Sequence, residues 1–267
     1  MPPPVRAHPG MHETIALLTE RIADSPADAA LYLERGIAYS NDGQLALSLA
    51  DYREAERLGD PVLVTFDLGV LHYRAGDYAA AREALTRTLA RFPQHARALD
   101  YRARAAREAG DTRAAVADFE ALFALEAGVN PGQYISAAEL LASLPDRGVP
   151  AALALLDRGM LQLGVIPQLQ QRAIAFERER GSLAAALARL ETLAEPLAHS
   201  PEWRVERAEI LRALGREAEA QAELARASSA LAALRLTPAR AALAARIAEL
   251  AQTADAAGRR AGAQEKP

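Results

Sequence analysis

The five histidines have the widest chemical repertoire in this sequence, since a neutral imidazole can ligate a metal or move a proton near neutral pH. His8 and His12 stand four apart in a Pro- and Gly-rich start, and a chain beginning at His8 would form an N-terminal chelate with His12. Two histidines in such a stretch ordinarily bind nothing. His72, His95 and His199 have no partner at helical spacing, and no Glu completes a zinc-hydrolase motif. Lys266 is the single lysine, so no Gly-rich phosphate loop can end in Lys-Ser or Lys-Thr. The absence of cysteine excludes disulfides, thiolate catalysis, Cys-ligated zinc and iron–sulfur clusters. No serine lies in a nucleophile elbow. Acidic residues abound, but in segments full of Arg they read as surface ion pairs. The sequence therefore reads as a non-enzyme, with no catalytic residues, no metal site and no cofactor.

The elements that would carry these residues are helices. Hydrophobic residues make up 51% of the 267 positions and aromatic ones only 5%, with Ala, Leu, Arg and Glu dominant. A net charge of -4 and a pI near 5.8 argue against general attraction to nucleic acid or an anionic membrane. No run of ~18 uncharged apolar residues exists to cross a bilayer as a helix. Val5-Arg6-Ala7 has the small-residue spacing of a signal-peptidase site, yet no apolar core precedes it. As written the chain is expected to be cytoplasmic. An apolar run upstream of Met1 would instead make it periplasmic or secreted.

The chain repeats itself. In LERGIAYSNDGQLALSLADYREA, DLGVLHYRAGDYAAAREALTRTLARFP and YRARAAREAGDTRAAVADFEAL, Gly36, Gly69 and Ala103 occupy one place, 33 and then 34 residues apart. Gly43, Gly76 and Gly110 follow seven residues later. Next come the small Ser48, Ala81 and Ala115, and four residues on the bulky Tyr52, Leu85 and Phe119, one helical turn away. Pro26, Pro61 and Pro93 close the units. Small residues let two helices approach, the Gly ends the first helix in a left-handed conformation, and the Pro stops the second.

By these residues the chain resembles the tetratricopeptide repeat family. The resemblance is fullest over 27–126. Looser repeats extend over 132–235, where Ala152, Ala186 and Ala220, and Leu156, Leu190 and Leu224, keep a spacing of 34. Gly181 and Gly215 repeat the turn, Ala208 the small residue, while 132–148 match poorly in their first helix. Phe119 to Leu156 is 37, three too many, and Asn130-Pro131-Gly132 and Leu144-Pro145-Asp146 read as lengthened connections with a change of curvature. A lone helix over 11–23 and a helix over 238–256, begun by Thr237-Pro238 and carrying Leu243, Ile247 and Leu250, are expected to cap the ends. Residues 1–10 and 257–267 read as disordered tails. The resemblance implies an all-α right-handed α-α superhelix of about six hairpins between two capping helices.

It also implies a function and a place for it. In this family the first helices line a concave groove, and ligand contacts come from fixed positions along them. Carried over, these are Leu33, Ile37, Ser40 and Asn41, then Phe66, Val70, Tyr73 and Arg74, then Arg97, Asp100, Arg104, Arg107 and Glu108, with Glu209 and Arg212 farther on. An apolar stretch running into arginines suits an extended peptide with apolar anchors and acidic residues, held by a non-catalytic interaction module. Equally, Arg104 and Arg107 could pair with Asp100, Glu108 and Asp111, and Phe66 and Tyr73 could be core. Family members that clamp a C-terminal carboxylate need cations where this chain has Leu33 and Ile37, which argues against that use. Trp203 is expected to pack in the interior. A self-assembling structural solenoid and an exported protein with an N-terminal His metal site are the alternatives.

Overall fold

The computed structural model describes residues 9–125, 129–164, 166–193, 197–235 and 237–264, with backbone alone at residue 9 and over 253–264. Val5, Ala7, His8 and Lys266 lie outside the described residues. Two compact units divide the chain, Met1–Ala152 and Leu153–Pro267. Among the described residues every regular element is helical.

The first unit holds α1 (Pro9–Asp24), α2 (Ala29–Asn41), α3 (Leu45–Leu58), α4 (Val62–Arg74), α5 (Tyr78–Arg91), α6 (Ala96–Glu108), α7 (Thr112–Ala124), α8 (Pro131–Ser143) and the start of α9 (Gly148–Leu163). From α1 to α8 each helix packs on the next. The turn glycines Gly43, Gly76 and Gly110 have φ of 81°, 79° and 79°, the left-handed region where a side chain is strained. Around Gly76 the motif is complete. The Gly76 amide donates to the Tyr73 carbonyl (3.1 Å) and the Asp77 amide to that of His72 (2.9 Å), satisfying the last carbonyls of α4. The Asp77 carboxylate then accepts from the Ala80 amide (3.1 Å) and caps α5, so three residues end one helix and start the next.

Small and bulky positions meet as their spacing implies. A Cβ on Gly69 would sit 2.5 Å from Leu85 Cγ, and one on Gly36 would sit 2.6 Å from two ring carbons of Tyr52. Ser48, Ala81, Ala115, Tyr52, Leu85 and Phe119 are all buried. The connection before α8, residues 125–130, is longer than the earlier ones at 59–61 and 92–95, but Pro131 and Gly132 already belong to the helix. Asn130 is the N-cap of α8, accepting from the Gln133 amide (3.2 Å) while the Gln133 side chain accepts from the Asn130 amide (2.9 Å). Turn and cap use the same residue types, and here the cap prevails. Residues 132–148, poor in the repeat pattern, still supply a buried first-helix face in Tyr134, Ala137, Ala138 and Leu141.

The second unit continues α9 and holds α10 (Pro167–Glu179), α11 (Leu183–Glu191), a 3-10 turn at Leu197–His199, α12 (Pro201–Ala213), α13 (Glu217–Ala232) and α14 (Pro238–Gln264). Its core gathers Leu187, Leu190, Trp203, Ile210, Leu224 and Ile247. Trp203 is buried there, as expected. Helix α14 covers α13 through Ile247 and Leu250, and its backbone is helical to Gln264, past residue 256 where the sequence suggested a tail.

Candidate functional site

The residues proposed to line a groove lie on α2, α4 and α6, and their environments differ. Leu33 and Ile37 are half-buried against the core cluster of Tyr52, Val64, Leu68 and Leu71. Val70 is buried outright, while Asn41, Arg74, Arg97 and Arg107 are exposed. The apolar part of α2 is thus largely spent on packing. Phe66 and Tyr73 are half-buried and meet Tyr101 of α6 edge-on, at ring-centroid distances of 6.2 and 5.6 Å. His95 lies 4.7 Å from Phe66 and Tyr78 lies 5.7 Å from Tyr73, completing an aromatic cluster across α4 and α6.

Cations lie on this cluster. The Arg97 guanidinium is 4.9 Å above Phe66, and that of Arg104 is 4.8 Å from Tyr73 and 5.1 Å from Tyr101. Arg104 has Asp100 at 3.6 Å; burial acts to lower its pKa, but Tyr73 and Asp100 outweigh this and raise it. Arg107 pairs with Glu108 (2.7 Å) and donates to Ser136 Oγ (3.3 Å). Asp111 pairs with Arg82 (2.8 Å), not with either groove arginine. Arg74 donates to the carbonyl (3.1 Å) and hydroxyl (2.9 Å) of Ser40. Among the described residues neither Arg74 nor Arg97 makes an ion pair; Arg97 lies over Phe66 and Arg74 follows Tyr73 on α4. Between α6 and α8 lies an open cleft of about 320 Å³ lined by Asp100, Arg104, Arg107, Asn130, Gln133 and Ser136. Its carboxylate is occupied, because Gln133 Nε2 donates to Asp100 (2.8 Å).

Solved structures share this arrangement of helices. The C-terminal part of a tetratricopeptide-repeat-containing protein from Cytophaga hutchinsonii superposes with a TM-score of 0.68 at 12% identity, over 88% of this chain and 94% of that one. The fold is that of a tetratricopeptide-repeat solenoid. A tetratricopeptide repeat protein from Parabacteroides merdae is similar over 91% of this chain and 92% of its own (TM-score 0.52, 18% identity), and the pilF protein of Pseudomonas aeruginosa over 75% and 90% (0.55, 17%). No family model and no curated protein matches the sequence.

Solenoids of the tetratricopeptide type are typically protein-interaction scaffolds and generally non-catalytic. In this one, Leu33 and Ile37 stand where a carboxylate clamp would need cations, and both are committed to the core. In the second unit Glu209 is taken by Arg178 and Arg246 (3.3 Å each), and Arg212 by Glu217 (3.0 Å). Among the described residues no cluster of His, Asp or Glu could hold a metal, and no helix is long and apolar enough to span a membrane. Three residues escaped the carry-over of groove positions. Tyr101 joins two predicted rings, Leu63 is an exposed leucine (62%) on α4, and Asp67 is a half-buried carboxylate beside Phe66. Repeat spacing marks backbone positions, whereas these depend on what the neighbouring helix presents.

Proposed function

We propose that the first unit is a non-catalytic module that holds an extended segment of a partner protein across α4 and α6. The observation that carries this is the aromatic cluster of Phe66, Tyr73 and Tyr101, half-open, braced by guanidiniums and bounded by Arg74 and Arg97. An apolar or aromatic side chain of the ligand lies on the rings, where desolvation is cheap and ring geometry selects shape. An acidic residue beside it meets Arg74 or Arg97, which have no carboxylate to surrender first. Leu33 and Ile37 belong to the neighbouring core of α2 to α4, and Val70 is buried on α4. Asn41, Arg104 and Arg107 border it.

Screening the whole chain against a random-peptide display library tests this. Enriched peptides are expected to carry an apolar or aromatic residue next to Asp or Glu, and their binding to weaken as salt rises. A Phe66→Ala, Arg104→Glu double variant, shown by circular dichroism to be folded, should lose them; equal capture by that variant would sink the proposal.

A further inference from the structure

Each described carboxylate of the first unit that is buried or half-buried has a partner in the fold, with one exception. Asp51 and Asp118 receive Arg35 and Arg102, Asp100 receives Gln133, Glu56 receives Arg87 and Glu120 receives Arg147. Asp67 makes no hydrogen bond and no ion pair. Its neighbours are already engaged. Arg97 is held over the Phe66 ring, His95 Nδ1 accepts from the Ala98 amide (3.1 Å), and Arg74 is tied to Ser40. Burial pushes the Asp67 carboxyl above the usual carboxylate range, and the fields of Arg97 and His95 offset only part of this. A half-buried carboxylate with no donor in the fold, its oxygens still open to solvent, can accept a hydrogen bond from outside, and it follows Phe66 on α4 within the fields of Arg97 and His95.

We infer that Asp67 accepts a main-chain N–H of the bound segment, fixing its register on the rings. The inference rests on reading this face as a peptide site. The choice of donor follows from charge. Arg74, Arg97 and Arg104 surround the cluster, so a ligand cation would meet net repulsion, whereas a neutral amide brings a donor without charge. An extended chain must also satisfy its own N–H groups as water is removed, and the aromatic rings offer them no acceptor. A carboxylate at the rim supplies one. Because the carboxylate has no partner within the fold, its removal costs the free protein nothing.

The test uses the tightest peptide recovered from a random dodecamer display library on the wild-type chain, resynthesised with each backbone amide N-methylated in turn. One N-methylation is expected to weaken binding to the wild type roughly tenfold or more, the scale of a hydrogen bond to a charged acceptor, and to cost Asp67→Ala less than about threefold. Asp67→Ala should bind the parent peptide correspondingly more weakly while melting no lower than the wild type. If Asp67→Ala binds the parent peptide as tightly as wild type, or every N-methylated peptide loses the same on both proteins, this inference fails and the peptide site stands. A library that yields no binder overturns the peptide site, and the role of Asp67 with it.

Discussion

Asp67 and Gly69, two residues apart on α4, show opposite uses of a single position. Asp67 carries a cost. Its folded pKa lies above the unfolded value because burial penalises the charge, so the folded state binds the proton more tightly. The carboxyl therefore favours folding below the ordinary carboxylate range and loses that advantage as pH rises through its raised folded pKa. Asp67→Asn should accordingly raise the thermal midpoint at pH 7 and converge with the wild type towards pH 3; thermal melts across that range read the difference, and a variant less stable at neutral pH would contradict it. Gly69 carries a benefit that exists only against Leu85. An added methyl would lie 2.5 Å from a branch carbon of a fully buried leucine, which cannot swing away. Overpacking of this kind costs about 1–3 kcal/mol, against a gain of roughly 1 kcal/mol from replacing Gly by Ala in a helix. Gly69→Ala should be destabilising in the wild type and stabilising by up to about 1 kcal/mol in a Leu85→Ala background, a coupling that denaturation of the four proteins measures.

At the scale of the element, hairpins carry a second internal pattern. In α2 and α3, Arg35 forks onto Asp51 with both bonds at 2.8 Å and reaches Thr19 of α1 (3.1 Å). In α6 and α7, Arg102 forks onto Asp118 (2.8 and 2.6 Å) and reaches Thr86 of α5 (3.1 Å). The hairpin between them has Leu68 and Ala84 at the matching places, both buried. Removing Arg102 alone leaves Asp118 buried without its cation, a loss of roughly 3 kcal/mol or more. Copying the neighbour, Arg102→Leu with Asp118→Ala, should restore most of it, and chemical denaturation of the single and double variants decides between these. Hairpin geometry was legible because Gly43, Gly76, Tyr52 and Leu85 have one steric reason each, which recurs at each repeat. The start of α8 was not, since Asn130 and Pro131 signal a turn as readily as a cap until Gln133 answers Asn130. The groove positions were legible as places only. Whether Ile37 is floor and Phe66 is surface depends on how far the next helix covers each, and Asp67 is singled out only by what fails to reach it.

Within each unit the described helices pack mainly on those next to them in the chain, so stability there is close to a sum of hairpins and their immediate neighbours. The long-range ion pairs follow the same rule. Arg82 to Asp111, Arg87 to Glu56 and Arg113 to Asp146 each join helices close in the chain, as do Arg178 to Glu206 and Arg246 to Glu209 in the second unit. Damage should then stay local. In hydrogen exchange, Gly69→Ala is expected to speed the amides of α3 to α6, which pack on or beside α4, by up to about 30-fold, the equivalent of roughly 2 kcal/mol in local opening once the helix gain is set against the overpacking. Amides of α12 and α13, built on the separate core around Trp203 and Ile210, should keep their wild-type rates. Uniform acceleration along the chain would mean that the two units open together and that stability is not a nearest-neighbour sum. Local opening of α4 also loosens Phe66, Tyr73 and Asp67 together, so the same variant should weaken a bound peptide even though Gly69 itself touches none.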